Sequence, residues 1–293
     1  MTRHGGWYRQ EPFTGQTSVG QHRPPVPSLN LLSRTLFRLI LGWACVVAQA
    51  SWAHDSWIRA MPGGASLEIG TGNRFPVMDV GVGPDNVKQS HCTDGESVVT
   101  LQAGMAGPRS LPLVPTGGLQ PLACWVELGA LDVVIDPALV QVYFNDIQAP
   151  AATRQAWADQ QARGLRWQET YRKFARIELA AAAEAQTTLR LQARKPAGLP
   201  LEIVVLGEQA LAARAPLQFQ VLRDGTPLAD FPVEFVSARS PVGIWRRTDG
   251  QGRLRESLPF PGRWLLRGTD LRPAPGEVDR WASRFVTLAI ELR

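Results

Sequence analysis

Two histidines carry most of the chemistry that this sequence offers. Of the four in the chain, His4 and His22 precede an apolar run at 39–48, which leaves His54 and His91 beyond it. His54 stands in "ASWAHDSWIR", directly after small residues at the −3 and −1 positions of a signal cleavage site. A cut after Ala53 makes His54 the first residue of the mature chain. Its α-amine and imidazole then form one bidentate chelate. The amine has a reference pKa of about 7.7–8.0 and the imidazole of about 6.5, so both yield their protons to a competing metal near neutral pH. His91 supplies a second imidazole, which completes a three-nitrogen set suited to nickel, cobalt or copper. Asp55 adds an oxygen. The expectation is one transition-metal ion held by His54, His91 and Asp55. The plainer alternatives are a chain end at His54 and a polar turn residue at His91.

The cysteines come next. Cys45 lies inside the apolar run, and "GWA" before it is a poor lipidation signal. Cys92 and Cys124 remain. An even pair in an exported chain reads as a disulfide closing a loop of roughly thirty residues, worth about 3 kcal/mol in the chain-entropy account. A free thiol beside His91 is the alternative. No spaced zinc cluster, phosphate loop or Gly-x-Ser-x-Gly elbow is present in the sequence. Asp132 and Asp136 share a strand face, but Asp136 before Pro137 reads as a strand-ending turn. "TDGQG" (248–252) lacks the later ligands of a calcium loop and reads as a turn.

Export is expected from the first 53 residues. Arg34 and Arg38 precede "LILGWACVVA" (39–48), and "AQA" (48–50) and "SWA" (51–53) offer competing cleavage sites. The apolar run is shorter than the roughly 20 residues that span a bilayer. The expectation is a periplasmic protein with no stable membrane insertion after cleavage. The whole chain has 31 basic and 26 acidic residues, and the first 53 hold five and one of them, so the remaining 240 are nearly neutral. No basic block marks a nucleic-acid surface.

Short apolar runs broken by Gly, Pro, Asn and Asp fill the rest. They predict a mainly β chain with two β-sandwich-like domains at 54–185 and 186–293, after an extension and signal at 1–53. "ASLEIGTG", "ESVVTLQA" and "CWVELGALDVVID" read as strands, and the proline-rich 107–121 as a loop. "APAATRQAWADQQARG" (149–164) predicts a helix, and the helical insertion is placed around 150–172, with "FARIEL" left open between helix and strand. Beyond residue 200, six or seven strands with Asp-Gly turns predict an immunoglobulin- or transthyretin-like sandwich. Val286, Leu288, Ile290 and Leu292 alternate onto one strand face. Trp264 is expected in the core and Trp245, flanked by Arg246 and Arg247, at the surface.

Several stretches carry a family resemblance. "AHDSWIR", "ETYRKFARIEL", "GLPLEIVVLGEQALAARAPLQFQVLRDGTPLADFPVEF" and "TDGQGRLRESLPFPGRWLLRGTDLR" resemble, in order, an uncharacterised bacterial periplasmic family (a domain of unknown function). That family is commonly labelled a periplasmic component of cobalt or nickel transport. Ser56 stands where the family usually has an aromatic residue, while His54, Asp55 and Trp57 fit. The resemblance implies two β-rich periplasmic domains and a membrane metal-uptake transporter as partner. The leading functional expectation is a metal-binding accessory to uptake. The alternative is a metal-free immunoglobulin-like module that binds a protein or glycan. An oxidative copper enzyme built on a histidine pair ranks last, because no substrate platform is visible.

Overall fold

The computed structural model describes residues 54–62 and 66–293. The expected signal segment and its two cleavage sites lie outside the described residues. In the first half the strands are β1 (Asp55–Ala60), β2 (Leu67–Gly72), β3 (Val80–Gly81), β4 (Val87–Thr93), β5 (Val98–Ala103), β6 (Leu111–Pro115), β7 (Ala123–Leu128), β8 (Leu131–Ile135) and β9 (Trp167–Glu178). Helices α1 (Pro137–Asp146) and α2 (Ala151–Ala162) precede β9, and α3 (Thr187–Ala193) follows it. The second half has β10 (Leu201–Leu206), β11 (Leu217–Arg223), β12 (Thr226–Pro227), β13 (Pro232–Ser237), β14 (Ser240–Arg247), β15 (Arg253–Glu256), β16 (Gly262–Pro273) and β17 (Trp281–Leu292). The fold is mainly β, as the composition of turns and alternating runs implies.

Hydrogen-bonded neighbours run β1-β2-β6-β5-β4-β7-β9-β17-β16-β13-β14, and β10, β11, β12 and β15 form a separate sheet. The halves drawn at 54–185 and 186–293 are joined within the first of these by a parallel pairing of β9 with β17, from Glu169–Trp281 to Ile177–Ala289. The described residues form one compact unit.

Alternation along the central strands explains the layering. Trp125, Phe174, Trp264, Leu266, Val286, Leu288 and Ile290 pack against the β10–β11 sheet. Their neighbours Cys124, Val126, Ala175, Ile177, Leu265 and Ala289 pack on the opposite face against Trp57, Ile58, Leu67 and Ile69 of β1 and β2. The central strands are therefore covered on both faces. That is why "FVTLAIEL" is apolar almost without a break rather than strictly alternating. Each fully buried Leu, Ile or Phe along it contributes about 1.5–3 kcal/mol of transfer free energy.

Two buried ion pairs tie the layers. On β9, Arg176 bonds Glu202 of β10 and donates to the Ala193 and Lys195 carbonyls at 2.7 and 3.0 Å. Arg194 makes a two-pronged pair with Glu178. Cys92 and Cys124 form a disulfide across β4 and β7.

Helices α1 and α2 close one end of the β9–β17 pair. Trp167 and Trp281 stack there at 4.8 Å between ring centroids, with Phe144 and Trp157 packed around them. Asp136 caps α1 by accepting from the Ala138 amide at 2.9 Å, with Pro137 at the first helical position.

Two local expectations need correction, and one open reading is resolved. The helical insertion ends at Ala162, not near Arg172, because Gly164 at φ 75° reverses the chain and Trp167 onward joins the sheet. The ambiguous "FARIEL" is thus strand. A strand, β6, runs through the supposed loop at 107–121. The β2 ladder reaches residues 111–113 and the β5 ladder residues 113–115. That offset places each proline nitrogen beyond the end of the strand it faces, where no ladder donor is needed.

Candidate functional site

His54 precedes β1, whose backbone is pinned to the central sheet by the Thr287 hydroxyl, which donates to the Ser56 carbonyl at 2.7 Å. The Lys173 ammonium donates to the His54 carbonyl at 2.7 Å. His54 is 7% exposed. Burial pulls its imidazole below the usual histidine range, and the Lys173 charge adds to this against the opposing pull of Asp79 and Asp55. The ring is therefore neutral at pH 7, the form in which it ligates a metal.

A cavity of about 220 Å³ opens beside it, lined by His54, Ser56, Thr71, Asn86, Tyr171 and Lys173 among others. Ser56 and Thr71 share a hydroxyl hydrogen bond of 2.7 Å. Burial lowers Lys173 to about 8, opposed only by the Asp55 carboxylate. Its ammonium lies over the Tyr171 and Phe285 rings at 5.3 and 5.8 Å. The site thus brings together an imidazole, several hydroxyl and amide oxygens, and a buried ammonium bonded to the His54 carbonyl.

The other expected ligands are engaged elsewhere. Asp55, 5% exposed, accepts from Arg267 at 2.6 Å, and Arg267 also bonds Glu234. His91 lies opposite Trp125 in the β4–β7 register and stacks on its ring at 5.9 Å. Trp125 packs on the face covered by β10 and β11, whereas Lys173 shares the parity of Ala175 and Ile177 on the face covered by β1. The two histidines therefore lie on opposite faces of the central sheet. Among the described residues, no three His, Cys, Asp or Glu side chains converge as a metal cluster.

The remaining carboxylates have structural work. Asp132 pairs with Arg280 and with the Thr170 hydroxyl, and Asp136 caps a helix. Asp249 of "TDGQG" accepts from the Gln251 and Arg253 amides at 2.8 Å, which makes it a turn residue. Trp264 is buried in the core.

Lys173, Tyr171 and Thr71 escaped the sequence reading. The signal was available: Tyr171, Lys173, Ala175 and Ile177 share one strand parity, so the lysine stands on an otherwise core-facing row. Reading residues 166–172 as helix concealed that parity.

No curated protein and no solved structure matches the chain. Residues 51–269 match the family described as a domain of unknown function (DUF4198), and the chain belongs to that family.

Proposed function

We propose that this protein is an exported carrier that takes up one nickel, cobalt or copper ion at His54, as a periplasmic accessory to a membrane metal-uptake transporter. The observation that carries this reading is His54, a buried residue at the edge of an open cavity, whose imidazole burial draws toward the neutral form. Cleavage after Ala53 adds the α-amine as the second arm of the chelate. The cargo is a borderline metal, because nitrogen donors and an uncharged ring select such ions over calcium or magnesium. The oxygens of Ser56, Thr71 and Asn86 line the same cavity and serve the outer coordination positions. A site with one chelating residue releases its cargo readily, which suits delivery.

The test is calorimetric titration of Ni²⁺, Co²⁺ and Cu²⁺ into chain beginning at His54. Binding of one ion, lost in His54→Ala and kept in His91→Ala, supports the reading. Equal binding in wild type and His54→Ala overturns it.

One observation favours a second reading, the metal-free binding module. Among the described residues no third ligand converges on His54, and the Lys173 ammonium sits against its carbonyl. A guest with acceptor oxygens fits that lining. On this reading His54→Ala leaves metal retention at background while Lys173→Met abolishes ligand capture.

A further inference from the structure

One corner of the molecule lies where β1 starts at Asp55 and β2 ends at Gly72. A second cavity of about 230 Å³ remains there, floored by Arg267, Gly268 and Thr269 and walled by Asn73, Asp146 and Trp245. Trp245 lies opposite Glu234 in the β13–β14 register, and Glu234 lies opposite Arg267, so the three share one face. The α1 C-terminus brings Asp146 over the same corner.

Four groups in this cavity have unused capacity. Trp245 is half-buried, and neither its ring nor its indole N–H has a partner among the described residues. Thr269 is more than nine-tenths buried, shares the strand parity of Arg267, and its hydroxyl makes no hydrogen bond within the described residues. The Asp146 carboxylate and the Asn73 side-chain amide are likewise unengaged there, and both residues are exposed. Arg267 is taken by Asp55 and Glu234. Asp55 and Glu234 thus take up the guanidinium's hydrogen-bonding capacity, and Asp146 makes no bond to it. Burial raises Asp146 above the usual carboxylate range, the Arg267 charge pulls it back down, and Asp55 pushes it up less strongly.

We propose that this corner binds an alkylammonium ligand, its methylenes against the Trp245 ring and its N–H donors shared by Asp146, Thr269 and Asn73. A planar aromatic wall beside a carboxylate that makes no hydrogen bond of its own is an arrangement that recognises an organic cation. The site is separate from the His54 cavity and needs no metal.

The test is calorimetry on the purified, metal-free protein with cadaverine and glucosamine as probes and N-acetylglucosamine as the neutral twin. Saturable binding of the amines, with no heat from N-acetylglucosamine, is expected. Trp245→Ala weakens it about tenfold, the change expected when one to two ligand methylenes lose their apolar cover. Asp146→Asn, an isosteric change at an exposed position, weakens it to a similar degree and decides the matter if Trp245→Ala fails to fold. Absence of saturable heat from either amine, equal binding of N-acetylglucosamine, or undiminished binding in Asp146→Asn overturns the proposal.

Discussion

The Arg176–Glu202 pair tests whether the layers are joined as described. Both side chains are nearly inaccessible, at 3% and 1% exposure. Arg176 satisfies Glu202 and two carbonyls on the α3–β10 connection, and Glu202 also accepts from the Ala197 and Gly198 amides. Replacing Arg176 by Met keeps the stem volume but leaves a buried carboxylate with only amide donors. Breaking such a pair costs about 3–5 kcal/mol. Glu202→Gln leaves the guanidinium buried without its counter-charge, though still bonded to two carbonyls, and costs about 2–3 kcal/mol. The double variant has no uncompensated charge, so it is less destabilised than the sum by about 2 kcal/mol or more. Urea unfolding at pH 7 of all four proteins closes the cycle. Single variants costing under about 1 kcal/mol, or strictly additive ones, mean instead that the pair is solvated and the β10–β11 sheet is not clamped to β9.

Three further outcomes follow from the same structure. The disulfide closes a loop of 32 residues, so Cys92→Ala with Cys124→Ala lowers stability by about 3–4 kcal/mol in urea, and a reducing agent then has no further effect. Lys173 titrates at about 8 in the folded chain against 10.5 in the unfolded one. Below pH 8 both states hold the proton and the desolvation cost is complete, whereas between 8 and 10.5 the unfolded chain binds more proton and stability rises with pH. Lys173→Met therefore stabilises the protein at pH 7 by up to about 3 kcal/mol, less the lost bond to the His54 carbonyl, and its urea midpoint lacks the rise between pH 8 and 10.5. For His54 the folded pKa lies below 6.5, so the unfolded chain takes up protons first as pH falls through that value. His54→Gln accordingly removes part of the loss of stability below pH 6.5, read by thermal melts at pH 5.5 and 7.5.

Much of the β architecture was legible because alternation and turn chemistry agree over 200–293. Asp224 and Gly225 at φ 49° and 76° form the turn that the Asp-Gly dipeptide demands. Val286, Leu288, Ile290 and Leu292 occupy one core as their spacing implies. The parallel join of β9 to β17 was not legible, since strand order across more than a hundred residues leaves no local trace. Helix α1 was missed because its apolar residues follow a strand without a break, although its cap, Asp136–Pro137, was in view. At the candidate site the sequence marked His54, whose importance rests on a cleavage signal, but not Lys173, whose role depends on which layer covers it. Asp55 and His91 looked like ligands by type alone. Their actual neighbours, Arg267 and Trp125, lie 212 and 34 residues away in the chain.

The most direct test of the metal reading is the mass of the protein recovered from its native compartment, measured denatured and native. The expected result is a denatured chain that starts at His54 and a native species heavier by one nickel, cobalt or copper ion. A chain that starts at Ser51, or one that starts at His54 and stays bare after those ions are offered, contradicts it.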